Sequence, residues 1–77
     1  MTRYFFHIRD GDKLLEDFDG TELPDLRAAV ADARMSAQEI MGERLKRGLD
    51  PIHRSFEITN AEGLVLATLP FSDVLMR

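Results

Sequence analysis

The chain has 77 residues, a formal net charge of −4 and no cysteine. A chain of this length can bury one modest hydrophobic core, so we expect residues 1–77 to form a single domain. Apolar residues make up 44% of the chain and charged residues 31%, which is typical of a soluble globular protein and excludes a disordered one. The negative net charge repels phosphate backbones, so nucleic acid is an unfavoured but not excluded partner.

The absence of cysteine excludes a disulfide and fits a reducing compartment. The longest apolar run, residues 64–69, is far shorter than the roughly 20 residues that span a membrane. Residues 1–8 contain no apolar segment of signal-peptide length. We therefore expect a cytoplasmic protein with no membrane partner. Because domains near this lower size limit often gain stability from a second subunit, we also expect self-association.

The N-terminal segment predicts a β-hairpin. Residues 2–9 alternate between two faces, as a strand does. The face expected to meet the core carries Tyr4, Phe6 and Ile8, and the other carries Arg3, Phe5, His7 and Arg9. An Asp-Gly-Asp sequence at residues 10–12 supplies turn chemistry. Residues 13–18 are expected to form the returning strand, which ends at Asp19-Gly20.

A long amphipathic helix is predicted over about residues 25–47. Asp25, which follows Pro24, is a start signal because its carboxylate can accept from the free N–H groups of the first turn. Cationic residues in the last turn and Gly48 just beyond them indicate where the helix ends. Apolar residues recur at steps of three and four along one stripe. They are Leu26, Ala29, Val30, Ala33, Ala37, Ile40, Met41 and Leu45.

The C-terminal segment predicts a second hairpin. Residues 54–59 place Phe56 and Ile58 on one face and polar residues on the other, which is typical of a half-buried strand. Residues 60–63 form the connection. Residues 64–69 are apolar on both faces. One face of this strand carries Val65, Ala67 and Leu69, and the other carries Leu64 and Leu66. Pro70 is expected to end the strand before one short helical turn.

The order β-β-α-β-β predicts an α+β fold in which the long helix lies on one face of a four-stranded antiparallel sheet. A single helix covers only one face, so apolar side chains remain on the opposite, helix-free face. We interpret these side chains as a candidate interaction surface. The surface consists of the apolar residues Phe5, Leu64 and Leu66 together with His7.

Five cationic residues of the helical segment define a candidate basic strip: Arg27, Arg34, Arg44, Lys46 and Arg47. A phosphate-binding surface is one interpretation. The other is a solvated helix face, because Asp32 and Glu39 stand near Arg27 and Arg34 at helical spacing and favour ion pairs.

No residue pattern indicates a catalytic, cofactor or metal site. The serines lie in no nucleophile elbow, and the chain has no glycine-rich phosphate loop. His7 and His53 are the only histidines, fewer than a zinc site needs without cysteine. The acidic segment 10–25 does not fit a calcium-binding EF-hand loop. When Gly11 or Gly20 is aligned on the glycine of such a loop, an apolar residue occupies the first ligand position. We interpret these acids as turn residues and helix N-terminal charge.

Four runs of the sequence carry a resemblance to a known family: residues 3–7 (RYFFH), Asp10-Gly11, residues 17–26 (DFDGTELPDL) and Pro70-Phe71. Together they resemble a family of short uncharacterised proteins common in rhizobia and related alphaproteobacteria, over nearly the whole chain. The resemblance implies a bacterial, soluble, single-domain protein. The family has no known function, so the resemblance supplies no catalytic residues.

These observations favour a small, non-enzymatic protein-interaction module. We expect a homodimer formed through the helix-free face or an edge strand, with an unidentified protein as a further partner. The alternative is a nucleic-acid-linked regulator that uses the basic strip. It rests on a looser likeness to small antitoxin-type domains, which begin with an aromatic strand and place a helix after an acidic turn containing proline.

Overall fold

The computed structural model describes residues 1–75. In chain order, the elements are β1 (Thr2–Asp10), β2 (Lys13–Leu15), β3 (Thr21–Leu23), α1 (Leu26–Lys46), β4 (Arg54–Thr59), β5 (Val65–Pro70) and α2 (Phe71–Leu75). The strands form one antiparallel sheet. The predicted α+β fold with a β-β-α-β-β order is confirmed, although the sheet has five strands and not four.

β1 lies inside the sheet and is the longest strand. On one side it pairs with β4, which in turn pairs with β5. On its other side it pairs with two short strands, β2 along residues 8–10 and β3 along residues 2–4. One edge of the sheet is therefore β5, and the other is divided between β2 and β3.

The expectation of one returning strand over residues 13–18 is wrong, because the chain leaves the ladder after Leu15 and rejoins it at Thr21. Between these points the carboxylate of Asp17 accepts a hydrogen bond from the backbone N–H of Phe6 in β1, at 3.1 Å. A side chain thus replaces a backbone partner in the middle of the edge. Asp19 and Gly20 are turn residues and predict the end of a strand. The local sequence therefore gives no sign that the chain pairs with β1 again at Thr21.

The core lies between the sheet and the two helices. The β1–β4 register places Phe6 opposite Ile58 and Ile8 opposite Phe56, all on the side that faces α1. The ring of Phe56 meets Phe6 edge-on at 6.2 Å and Phe71 at 5.4 Å between centroids. The buried apolar residues are Tyr4, Ala29, Ala33, Ala37, Met41, Phe56, Ile58, Leu69, Phe71 and Val74.

Helix α1 follows the predicted stripe for most of its length. Ala29, Ala33 and Ala37 are fully buried, and such small side chains let the helix backbone approach the sheet closely. Leu45, the last residue of the stripe, is 59% exposed, because it lies at the end of the helix. The helix ends as Gly48 takes φ 72° and the Leu49 N–H donates to the carbonyl of Arg44 at 2.9 Å. None of the helices within residues 1–75 is long and apolar enough to cross a membrane.

The start of α1 depends on Asp25, whose carboxylate accepts from the Ala28 N–H at 2.9 Å. Asp25→Ala is expected to lower the free energy of unfolding by about 1 kcal/mol, because that N–H group loses its partner. The matched control is Asp32→Ala on the exposed face of α1, where alanine favours the helix. Urea unfolding followed by far-UV circular dichroism compares the two. Equal stabilities would contradict the capping role.

Candidate functional site

The helix-free face contains an open depression of about 340 Å³. It extends across the sheet from β2 to the β4–β5 turn. The strand register explains its walls, since Phe5 stands opposite Thr59 and His7 opposite Glu57 on the side away from α1. The residues that line it are Phe5, His7, Leu14, Glu16, Glu57, Thr59, Asn60, Ala61, Gly63 and Val65.

His7 is held by both ring nitrogens. Its Nδ1 accepts from the backbone N–H of Asp17 at 3.0 Å, and its Nε2 lies 3.0 Å from the hydroxyl oxygen of Thr59. A backbone N–H can only donate, so Nδ1 carries no proton and Nε2–H donates to Thr59. The ring also stacks on Phe5, with centroids 6.4 Å apart and planes 7° from parallel. The imidazole is therefore fixed in orientation and tautomer.

This tautomer decides what the His7–Thr59 pair can do chemically. A hydroxyl beside a histidine resembles a nucleophile and its base, but the base needs an unprotonated nitrogen toward the hydroxyl. Here the nitrogen toward Thr59 carries the proton. Thr59 is also only 5% exposed. In this geometry the pair orders the floor of the depression and does not activate a nucleophile.

Asp17 organises the loop of residues 16–20 beside the depression. Besides Phe6, its carboxylate accepts from the backbone N–H groups of Asp19 and Gly20, each at 3.2 Å. Burial acts to raise the pKa of Asp17, but the hydrogen bonds from Phe6, Gly20 and Asp19 outweigh it and hold the pKa below its usual value. The charged carboxylate is thus the form that the fold stabilises.

Gly20 completes this loop. Its φ of 72° is a left-handed conformation, and a Cβ there would lie 2.9 Å from side-chain carbons of both Arg3 and Phe5. Arg3 also donates from Nη1 to the carbonyl of Asp19 at 2.8 Å. The loop consequently lies against β1 and shields the ring of Phe5, which is half-buried.

Two ion pairs lie on the helix-free face, whereas Glu16, which lines the depression, takes part in none of the ion pairs of the described residues. Arg9 donates from Nε to Glu57 at 2.9 Å, and this hydrogen bond and the nearby negative charge raise the pKa of Arg9. Arg3 forms an ion pair with Glu22 at 3.1 Å. Across the depression, Glu57 therefore contributes little free negative charge.

The structure brings together only part of the predicted interaction surface. Phe5 and His7 line the depression, whereas Leu64 and Leu66 lie at the edge of the sheet, 62% and 36% exposed, and do not line it. Val65 was expected on the core side and is instead 49% exposed in the depression. The cause is a register shift between Ile58 and Thr59, which places Val65 opposite Thr59.

Sequence reasoning missed several residues of the site. Leu14, Thr59 and Val65 line the depression and the Asp17 N–H holds His7, but none of the four was predicted to belong to the interaction surface. The signal available for Asp17 was its place two residues before an Asp-Gly turn, because aspartate often accepts from N–H groups just ahead of it. The alternating pattern of a strand could not predict the face on which Val65 lies, because a register shift breaks the alternation.

Four of the five cations of the basic strip are spread around α1, and Arg47 lies just beyond its last residue. Arg27 and Arg34 share one flank, since a helix turns about 100° per residue, but Lys46 lies about 120° from Arg34. Arg44 lies about 80° away on the other side and donates to the carbonyl of Asp50 at 2.6 Å. Arg27 and Arg34 were expected to pair with Asp32 and Glu39. The ion pairs observed among the described residues include neither arginine.

The other titratable candidates make local contacts. His53, in the loop before β4, places its Nδ1 against the carboxylate of Asp50. Hydrogen bonds to Asp50, first that of the Ile52 N–H and then those involving His53, hold the pKa of Asp50 below its usual value. Asp10 pairs with Arg54 at 3.1 Å. Across residues 1–75, no three His, Asp or Glu side chains stand close enough together to hold a metal ion.

The fold and its open face define a class: small α+β domains in which one long helix covers an antiparallel sheet and the opposite face carries a shallow depression. The chain belongs to a family described as a domain of unknown function (DUF6894), whose model matches residues 3–72. The resemblance to a family of uncharacterised proteins is thereby confirmed. No curated protein and no solved structure matches the chain.

Proposed function

We propose that this domain is a non-enzymatic protein-interaction module of the cytoplasm that forms a homodimer through its helix-free face or an edge strand. One observation carries the proposal: three consecutive apolar residues, Leu64, Val65 and Leu66, are 62%, 49% and 36% exposed, and the middle one lines the depression. A continuous exposed apolar surface of this kind is typical of protein contact sites, whereas single exposed apolar residues are ordinary.

The chemistry of the depression supports binding over catalysis. His7 directs its proton toward Thr59, and Glu57 in the depression is paired with Arg9. No buried side-chain nitrogen or oxygen in the described part of the chain lacks a hydrogen-bond partner. Where polar groups such as His7 and Glu57 are already hydrogen-bonded, binding gains most from apolar contact.

A second copy of the chain is the partner that the charges favour. Arg3 and Arg9 are balanced by Glu22 and Glu57 on the helix-free face, although the whole chain carries −4. A largely paired and partly apolar surface opposes few like charges when it meets its own copy.

We expect Leu64→Lys to weaken the dimer at least tenfold, or about 1.4 kcal/mol, because it places a charge in the contact. Met35→Lys is the matched control, since Met35 is also 62% exposed but lies on the outer face of α1. Size-exclusion chromatography with light scattering over a dilution series measures both. Leu64 is a better probe than the half-buried Phe5, which contacts His7 and the Gly20 loop.

A wild-type chain that remains monomeric up to about 1 mM, the concentration that corresponds to about 4 kcal/mol of association, would overturn the homodimer. Equal weakening by the Leu64 and Met35 variants would place the contact elsewhere on the surface.

A further inference from the structure

The two edges of the sheet differ in their ability to pair with another strand. At one edge, β2 and β3 have three residues each and are separated by the Asp17 loop. They also carry Lys13 and Glu22. Short strands, interruptions and charged side chains are the features by which proteins prevent pairing between sheets. This edge is therefore protected.

The opposite edge has less protection: Pro70 ends β5 and a register shift against β4 lies near its start, but no loop interrupts the strand. β5 is six residues long, and within residues 1–75 it has a hydrogen-bonded neighbour, β4, on one side only. Val65–Pro70 contains no charged residue. Each of the other four strands contains at least one. An uncharged strand with a free row of backbone groups is a template for strand addition.

The helix that follows β5 leaves this edge open. α2 is buried through Phe71 and Val74, and Phe71 lies against Phe56 on the face that α1 covers. α2 thus sits on the face of the sheet and not along its margin. The exposed apolar residues at the start of the strand, Leu64 to Leu66, remain accessible at that margin.

We propose that β5 of one chain pairs antiparallel with β5 of a second copy, around a two-fold axis perpendicular to the sheet. The proposal rests on the self-association proposed above and names its geometry, a continuous ten-stranded sheet. The absence of charge on β5 permits pairing with its own copy, because antiparallel pairing of two identical strands opposes no like charges here. Apolar contact between the two copies then adds to the new backbone hydrogen bonds.

This geometry also determines which surfaces of the dimer lie on the same side. A two-fold axis perpendicular to the sheet keeps both α1 helices on one side and both helix-free faces on the other. Val65 belongs to the edge and to the depression alike. The two depressions therefore lie side by side across the axis, as one extended surface.

The chain contains no cysteine, so a single introduced cysteine can carry a spin label. Thr68 is exposed, stands opposite Glu57 on the helix-free side and lies near the middle of β5. With strands about 4.8 Å apart, pairing through β5 brings the two Thr68 backbones within about 10 Å. Pairing through the opposite edge would separate them by about 34 Å. The matched control is Glu22→Cys in β3.

We expect continuous-wave EPR to show strong dipolar broadening for labelled Thr68→Cys at concentrations where light scattering shows a dimer, and none for labelled Glu22→Cys. Broadening at residue 22 alone, or at neither residue in a proven dimer, would overturn the edge pairing and leave self-association intact. A monomer by light scattering would remove both proposals. Circular dichroism of each labelled variant confirms that the spectra report on folded protein.

Discussion

Replacing Gly20 with alanine is expected to lower the free energy of unfolding by about 3 kcal/mol. Two physical effects add. The φ of 72° is unfavourable for any residue with a Cβ, and the added methyl group would lie 2.9 Å from both Arg3 Cγ and Phe5 Cε2 and 3.0 Å from the carbonyl oxygen of Tyr4. The backbone oxygen cannot rotate away as a side chain can, so β1 itself must shift.

Gly11→Ala separates the two effects. Gly11 has φ 65°, and its added methyl group would have no neighbour within 4 Å. This variant therefore incurs only the conformational cost, about 1 kcal/mol. Urea unfolding of both variants, followed by circular dichroism, gives the difference. If the two variants lose the same stability, the close contact of the 16–20 loop with β1 is wrong.

Asp17→Ala is the second large effect, an expected loss of about 2 to 3 kcal/mol. The substitution leaves three backbone N–H groups, those of Phe6, Asp19 and Gly20, without their acceptor. The Phe6 N–H is the costliest, because it lies within the sheet. Two-dimensional amide NMR should show the largest changes at residues 6 and 17–20, with α1 unaffected. Changes confined to residue 17 would contradict the organising role of Asp17.

The same carboxylate makes stability depend on pH. The pKa of Asp17 is lower in the folded protein than in the unfolded chain, so its contribution to stability is complete above the ordinary value of about 4 and is lost as pH falls below it. In Asp17→Asn this contribution is absent, and the acid limb of the stability curve should become shallower. Part of the acid slope of the stability curve should remain, because the pKa of Asp50 is also lowered in the folded protein.

Asp32→Asn serves as the control for the pH experiment. It changes the net charge by the same amount at an exposed position of α1. Thermal unfolding midpoints between about pH 3 and pH 7 give the comparison, the range in which carboxylates titrate. An acid limb equally steep in wild type and in Asp17→Asn would show that the hydrogen-bonded carboxylate does not contribute.

The elements with strong local signals were predictable. Asp25 and Gly48 bound α1 almost as expected, because capping depends on residues within one helical turn. The alternation of Tyr4, Phe6 and Ile8 against Phe5 and His7 correctly assigned the two faces of β1. Phe5 and His7 were thereby placed on the side of the sheet where the depression lies.

The features that depend on distant partners were not predictable. The division of the edge into β2 and β3 follows from a bond between Asp17 and Phe6, eleven residues apart in sequence. The exposure of Val65 follows from a register shift against Thr59 in another strand. The residue types of Asp17, Phe6, Val65 and Thr59 are typical of their own segments. The local sequence pattern therefore does not indicate these contacts between segments.

The amino-acid sequence by itself determined the order of the elements other than β3, the span of α1 and the side of the sheet left without a helix, because hydrophobic period and capping chemistry act over a few residues. Only the tertiary structure decided that His7 donates to Thr59, that Gly20 lies against Phe5, and that the two edges of the sheet differ. The reason is physical: hydrogen bonds and close contacts between strands form between residues that the chain separates and the fold brings together.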